Sequence, residues 1–188
     1  MPDAGAEAGR RAVFLDRDGT IVEDPGFLHE PGKVRLLAGA GEAIRALNQA
    51  GWLVITVSNQ SGIARGLYDA TAYTAVQRRL AELLAARDAR LDGAYFCPHH
   101  PEFTGPCECR KPGVLLFREA AAALGIELAR CVWVGDRVSD VEPARKLGGR
   151  ALLVETGGGA THVGKARALR IPVVADLAAA AAEIVRGV

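Results

Sequence analysis

Residues 12–20 read Ala-Val-Phe-Leu-Asp-Arg-Asp-Gly-Thr: four apolar residues, then two aspartates two positions apart, then a glycine. A short continuous apolar run that ends in acidic and turn-forming residues predicts a strand buried on both faces, as in a parallel sheet covered by helices. The same pattern recurs along the chain. Apolar runs over 52–57, 93–96, 131–134, 151–154 and 171–174 predict further strands. Between them lie stretches with helical periodicity. One spans 40–50 and closes at Gly51; another spans 71–90, with Val76, Leu80, Leu83 and Leu84 on one stripe. A third spans 112–124, opened by Pro112 and closed by Gly125.

This alternation predicts an α/β fold: a single Rossmann-like domain over 11–188, its parallel sheet carrying helices on both faces, behind a flexible N-terminal tail over 1–10. The stretch between Thr20 and Ala40 is too short for a large cap domain. At 188 residues a chain can bury roughly 70% of its unfolded surface, so a core forms without staples. Twenty-three Lys and Arg against 22 Asp and Glu give a net charge of +1. That balance excludes the basic footprint of a sequence-blind nucleic-acid binder and of a polybasic membrane anchor. No apolar run approaches the ~20 residues of a membrane span, and residues 1–10 lack the apolar stretch of a signal peptide. The expectation is a cytoplasmic monomer with neither nucleic-acid nor membrane partner.

Polar residues gather behind the strands: Asp16 and Asp18, then Ser58 and Asn59, then Asp136. In an open parallel sheet, ligands bind outside the carboxyl ends of the strands, so three polar strand ends predict one shared site. Asp16 and Asp18 repel each other unless a cation lies between them or one is protonated. Mg²⁺, an oxygen-seeking ion, satisfies the pair and leaves a carboxylate able to attack phosphorus; a plain turn uses the same residues. Ser58-Asn59-Gln60-Ser61-Gly62 offers a hydroxyl, amides and a flexible backbone to phosphate oxygens, as well as the ingredients of a capped helix. Arg110 and Lys111 precede Pro112, placing cations at an expected helix start, where anions are attracted. Gly135-Asp136-Arg137-Val138-Ser139-Asp140 adds two carboxylates, one of which can complete a metal shell. Gly159–Lys165 nearly matches phosphate-loop spacing, but Ala166 stands where the Mg²⁺-binding hydroxyl is needed, so a Gly-rich loop is expected there.

Of four cysteines, Cys131 lies in an apolar run while Cys97, Cys107 and Cys109 cluster near His99 and His100. In a reducing compartment such clustering points to metal rather than disulfides. Three thiolates and one imidazole, from either histidine, close a tetrahedral Zn²⁺ shell with no place for water, which is a structural site.

Taken in order, these segments resemble the haloacid-dehalogenase superfamily of phosphohydrolases: Asp-x-Asp-Gly-Thr, a Ser or Thr after the second strand, a Lys, and a late Gly-Asp-x-x-x-Asp. More narrowly, Phe14-Leu-Asp-Arg-Asp-Gly-Thr20, Ser58-Asn-Gln-Ser-Gly-Ile-Ala-Arg-Gly66 and Cys109-Arg-Lys-Pro112 resemble its heptose-bisphosphate and histidinol-phosphate phosphatase branch, over about residues 12–175. The resemblance implies that Asp16 is a nucleophile forming an aspartyl-phosphate and that Asp18 is the general acid and base. It implies that Ser58 and Lys111 hold the phosphoryl group, with Arg17, Asn59, Gln60 and Ser61 in the phosphate and substrate site. It also implies that Asp16, the main-chain carbonyl of Asp18 and Asp136 hold Mg²⁺. Arg110 would contact substrate; Arg137 stands where the branch often has Lys, keeping the charge. Without a cap, substrate selection falls to loops, chiefly Asp24 to Phe27 and the zinc loop. The branch's Cys-x-His and Cys-x-Cys ligands match Cys97, His99, Cys107 and Cys109.

The expected substrate is D-glycero-D-manno-heptose 1,7-bisphosphate, hydrolysed at the 7-phosphate. The phosphate that does not react needs cations, and Arg110 with Arg65 or Arg137 supplies them. The alternative, histidinol phosphate, is cationic at its other end and would favour carboxylates such as Asp24 and Glu108. Seven residues separate His99 from Cys107, a spacing between those of the two kinds of enzyme. A receiver-like signalling domain also phosphorylates an aspartate on a parallel sheet, but Asp18 turns over an acyl-phosphate that a receiver keeps. A phosphate-binding module without catalysis would not need both carboxylates.

Overall fold

The structure, a computed structural model, describes residues 9–187. Its six strands are β1 Ala12–Leu15, β2 Leu53–Asn59, β3 Gly93–Cys97, β4 Val132–Gly135, β5 Arg150–Val154 and β6 Val173–Val174. The helices are α1 Ala40–Gln49, α2 Ser61–Ala64, α3 Ala70–Ala85, α4 Pro101–Thr104, α5 Leu115–Leu124, α6 Val138–Val141, α7 Pro143–Leu147, α8 Gly159–Ala168 and α9 Leu177–Val185. The strands lie in the order β3-β2-β1-β4-β5-β6, every pair parallel. From β1 the chain winds outward through β2 and β3, then returns to the other side of β1 to lay down β4, β5 and β6. The order therefore reverses between β1 and β4, where the neighbouring loops diverge and open a crevice.

Side chains alternate across the sheet, as a period of two requires. Val13, Leu15, Val54, Val132, Val134 and Leu152 enter one core with Ile44 and Leu47 of α1, Val76, Leu80 and Leu84 of α3, and Ile184 of α9. Ala12, Phe14, Ile55, Trp133 and Leu153 enter the other with Leu116 and Phe117 of α5 and Ala166 of α8. Phe14, Phe117 and Trp133 pack at centroid distances of 5.0–5.6 Å. Each such side chain contributes about 1.5–3 kcal/mol on burial, which fixes the strand ends that carry the polar groups.

Several boundaries differ from expectation. Ser58 and Asn59 are the last residues of β2 rather than a loop behind it. The long helix starts at Ala70, where Asp69 Oδ1 accepts from Ala72 N, and it ends at Ala85, five residues early. Pro112 does not open a helix: α5 begins at Leu115, and a turn closed by Gly113 N donating to Arg110 O presents Lys111 instead. Of the expected N-terminal tail, residues 1–8 lie outside the described residues. Arg10 is tied down, its N–H donating to Gly125 O and its carbonyl accepting from Glu127 N. Between β1 and α1 only a short 3₁₀ turn, Pro31–Lys33, intervenes. Among the described residues no helix is long and apolar enough to cross a membrane.

Candidate active site

The crevice at the β1/β4 reversal is a cleft of about 420 Å³. Asp16, Asp18, Asp24, Phe27, Asn59, Gln60, Ser61, Arg110, Lys111 and Arg137 line it, joined by Tyr68, Ser139 and Asp140. Three residues named from sequence for this site, Arg17, Ser58 and Asp136, lie outside the lining. Ser58 is buried in the floor, and Asp136 is buried between β4 and the glycine-rich loop after β5.

Lys111 is the hub of the floor. Its Nζ donates to Asp16 Oδ1 (2.6 Å), to the carbonyl of Val57 (2.6 Å) and to Asp140 Oδ1 (2.9 Å). The Asn59 side chain holds the lysine's backbone on both sides, Oδ1 accepting from Lys111 N and Nδ2 donating to Lys111 O. Asn59 thus places Lys111, and its second Nδ2 hydrogen remains for a ligand in the cleft that it lines. Asp140, not singled out as a site residue from the sequence, has both oxygens committed, the second accepting from Arg137 N at 2.9 Å.

Asp18 is held as firmly. Arg17 Nε and Nη2 donate to its two oxygens at 3.1 and 2.9 Å, and Gln60 Nε2 adds a bond of 2.9 Å to Oδ2. This corrects the expectation that Arg17 binds substrate. Its side chain is fully buried, turned away from the cleft by the alternation that follows a strand, with its guanidinium over the Tyr73 ring. Gly62, read as flexible phosphate-loop backbone, has another reason to be glycine: a Cβ there would overlap the Tyr68 ring.

Four carboxylates (Asp16, Asp18, Asp136 and Asp140) share this centre with two buried cations, Lys111 and Arg17, leaving two negative charges without a buried partner. The titrations reflect that excess. Burial pushes the Asp16 carboxyl up to about 8; Lys111 opposes the rise, and Asp140, Asp18 and Asp136 add to it. Burial also carries Asp136 up to about 6, against the Gly158 N–H that bonds it. Burial alone would lower Lys111, but Asp140 and Asp16 outweigh it and hold the ammonium above the ordinary lysine range. A divalent cation fits this deficit. Asp16, Asp136 and Asp140 bring carboxylate oxygens within 4.8 Å of one another. Asp136 Oδ1 is buried without a hydrogen-bond partner, which leaves it available as a ligand. Asp136 Oδ2 accepts from Gly158 N at 2.8 Å. Gly19 and Gly157, both at positive φ, crowd the same oxygen so closely that a Cβ on either would stand 2.5 Å from it. Gly157 and Gly158, which seat Asp136, lie just before the stretch that resembled a phosphate loop, and Gly159–Lys165, expected as a Gly-rich loop, is instead most of helix α8.

At the mouth, Asp24 and Arg137 face each other at 3.7 Å, and Asp24 Oδ1 also accepts from Gly26 N. Arg110 Nη1 donates to the carbonyl of His99, so the loop carrying the cysteines also aims this cation. In that loop Cys97, His99, Cys107 and Cys109 bring ligand atoms together. Their contacts run from 2.9 Å (Cys97–Cys109) to 3.8 Å (Cys97–His99), at or inside the edge of about 3.8 Å of a tetrahedron with Zn–S of about 2.3 Å. His99 is the histidine of this group. His100 turns away, its Nε2 3.2 Å from Arg65.

Comparison with known proteins bears on the same regions. A family model described as HAD-hydrolase-like matches residues 108–180. The chain is 40% identical over 163 residues to the D-glycero-beta-D-manno-heptose-1,7-bisphosphate 7-phosphatase of Yersinia pestis, covering 84% of this chain and 87% of that one. It is 41% identical over 152 residues to the protein of the same name from Escherichia coli O6:H1, covering 78% and 80%. Among solved structures, the D,D-heptose 1,7-bisphosphate phosphatase of B. bronchiseptica, complexed with magnesium and phosphate, aligns with a TM-score of 0.86 at 33% identity, covering 95% of this chain and 99% of that one. The corresponding Burkholderia thailandensis enzyme aligns at 0.69 and 31%, covering 93% and 98%.

Proposed function

Because the chain belongs to the haloacid-dehalogenase-like phosphatases, and within them to the heptose-bisphosphate 7-phosphatase family, we propose that it is a magnesium-dependent phosphomonoesterase that removes the 7-phosphate of D-glycero-D-manno-heptose 1,7-bisphosphate, residues 11–188 acting as one catalytic domain. The observation that carries this reading is the convergence of Asp16, Asp18, Asp136 and Asp140 with Lys111 and Arg17 at the sheet reversal, which leaves two negative charges in excess.

Asp16 is the nucleophile. One of its oxygens bonds to the phosphorus of the 7-phosphate as the bond from phosphorus to the sugar oxygen breaks, and Asp18 delivers its proton to that departing oxygen. A water then bonds to phosphorus, giving its proton to Asp18, and the bond from phosphorus to Asp16 breaks to release inorganic phosphate and the carboxylate. Lys111 offsets charge on the phosphoryl oxygens while keeping Asp16 in line. Ser58, whose oxygen already accepts from Gln60, has its own proton to donate. Magnesium, held by Asp16, Asp136 and the Asp18 carbonyl, supplies the positive charge that lets an anionic nucleophile approach an anionic phosphate. Zinc, held by Cys97, His99, Cys107 and Cys109, fixes the loop that carries Arg110.

The second phosphate of the substrate meets Arg110 and Arg137 at the mouth, with Asp24 and Phe27 shaping the loop around it. The mouth sets one carboxylate, Asp24, beside two arginines, Arg110 and Arg137, a balance that favours an anionic second group over the cationic histidinol phosphate. Every group of the site comes from one chain, so a monomer suffices. A doubly phosphorylated sugar does not cross membranes unaided, which supports a cytoplasmic site of action. Side-by-side kinetics test the substrate: kcat/KM should be higher for the heptose bisphosphate than for histidinol phosphate. The reverse order would overturn the substrate assignment and leave the phosphatase reading standing.

A further inference from the structure

Gln60 has a complete set of partners inside the protein. Its Nε2 donates to Asp18 Oδ2 (2.9 Å) and Ser58 Oγ (3.1 Å), and its Oε1 accepts from the Tyr68 hydroxyl (2.6 Å) and Arg17 Nη2 (3.2 Å). A primary amide has two donors and two acceptor positions, so Gln60 has nothing left to offer a phosphate. Tyr68 is fixed in turn. Its ring fills the space beside Gly62 and stacks on His29, with centroids 5.4 Å apart and planes 8° from parallel. His29 Nδ1 lies 2.7 Å from the carbonyl of Phe27, in the loop that lines the cleft. A continuous run of contacts therefore joins the loop that meets substrate to the Asp18 carboxylate.

We propose that Gln60 and Tyr68 are positioning residues that hold the Asp18 carboxylate for the step in which water attacks the aspartyl-phosphate. The proposal rests on the phosphatase reading above. Asp18 accepts three N–H bonds, two from Arg17 and one from Gln60, so both of its oxygens are fixed in place. Its proton goes to the departing sugar oxygen in the first step. In the next step the water oxygen bonds to phosphorus, the water proton passes to Asp18, and the electron pair of the breaking bond returns to Asp16. Arg17 fixes the plane of the receiving carboxylate, Gln60 pins Oδ2, and Tyr68 keeps the amide from turning.

The test separates the two half-reactions with p-nitrophenyl phosphate in the presence of Mg²⁺. The p-nitrophenolate group leaves without a proton, so its first release does not sense the placement of Asp18, whereas hydrolysis of the phosphoenzyme does. Tyr68→Phe removes one hydroxyl and keeps the stack; Gln60→Glu keeps the shape and replaces two donors by charge. Rapid mixing should show steady-state turnover lowered about 10-fold in Tyr68→Phe and further in Gln60→Glu. The rate constant of the first p-nitrophenolate release should stay within about twofold of wild type, with a burst approaching one per chain. A fall of both rates together, or no change in either, overturns the proposal. If Gln60→Glu does not fold, Tyr68→Phe alone decides. A wild-type protein that hydrolyses neither p-nitrophenyl phosphate nor the heptose bisphosphate fails the phosphatase reading itself.

Discussion

Asp16 and Asp18 stand two residues apart, yet their surroundings give them different work. Asp16 is half-buried against Lys111 and offers an oxygen at the floor of the cleft; Asp18 is gripped by Arg17 and Gln60 in its wall. Asp16→Asn should abolish turnover, because an amide cannot form the acyl-phosphate. Asp18→Asn should lower kcat by about 10²- to 10⁴-fold, the worth of a general acid and base. Steady-state assays check both, and wild-type activity in Asp16→Asn would remove the nucleophile assignment. The aspartates were legible in the sequence because carboxylates at the end of a strand buried on both faces need a cation or a ligand to face. What Arg17 and Asn59 contact could not be read from their types, which suit phosphate: the direction each side chain takes is decided by the strand's alternation and by a partner 43 or 52 residues away, and of the two only Asn59 reaches the cleft. Asp136 and Asp140 could not be ranked from spacing. The distinction lies in Lys111, which commits Asp140 and leaves Asp136 an open oxygen.

At the scale of elements, the strands and the starts of α1 and α3 were legible, and the start of α5 was not. Continuous apolar runs in β1, β2, β4 and β5 specify burial on both faces. Pro112, by contrast, fits a helix's first turn equally well as the tight turn it occupies, and only the buried partners of Lys111 choose between them. Tyr68 escaped notice for a related reason. It lies in the turn between α2 and α3, and its hydroxyl meets Gln60 through tertiary folding alone. The loop between β3 and α5 carries a prediction of its own. Protein purified without chelators should contain one zinc per chain by elemental analysis, and finding none would refute the site. Stripping the metal should raise KM for the heptose bisphosphate more than it lowers kcat, since Arg110 is aimed by the His99 carbonyl while Asp16 and Asp18 sit on β1's end.

The whole molecule is nearly neutral, so its electrostatics are local: an acidic floor, with arginines at the mouth. Asp16 and Asp136 keep their protons to about 8 and about 6 in the folded protein without metal, whereas in the unfolded chain both titrate near 3.8. Between about pH 4 and pH 8 the unfolded state therefore binds fewer protons, and the contribution of these groups to metal-free stability falls as pH rises. Magnesium binds the ionised carboxylates and displaces those protons, so its affinity should climb from about pH 6 to about pH 8. Calorimetric titration across that range checks this, and a flat affinity would contradict the placement of the metal on Asp16 and Asp136.

In the reaction proposed, the cleft takes the 7-phosphate from a heptose bisphosphate while the mouth retains the other phosphate. Following D-glycero-D-manno-heptose 1,7-bisphosphate by ³¹P NMR with the purified protein and Mg²⁺ tests it most directly. The C7 phosphoester signal should disappear, inorganic phosphate should grow in equal amount, and the C1 phosphate signal should persist. Loss of the C1 phosphate, or a substrate left intact, would contradict it.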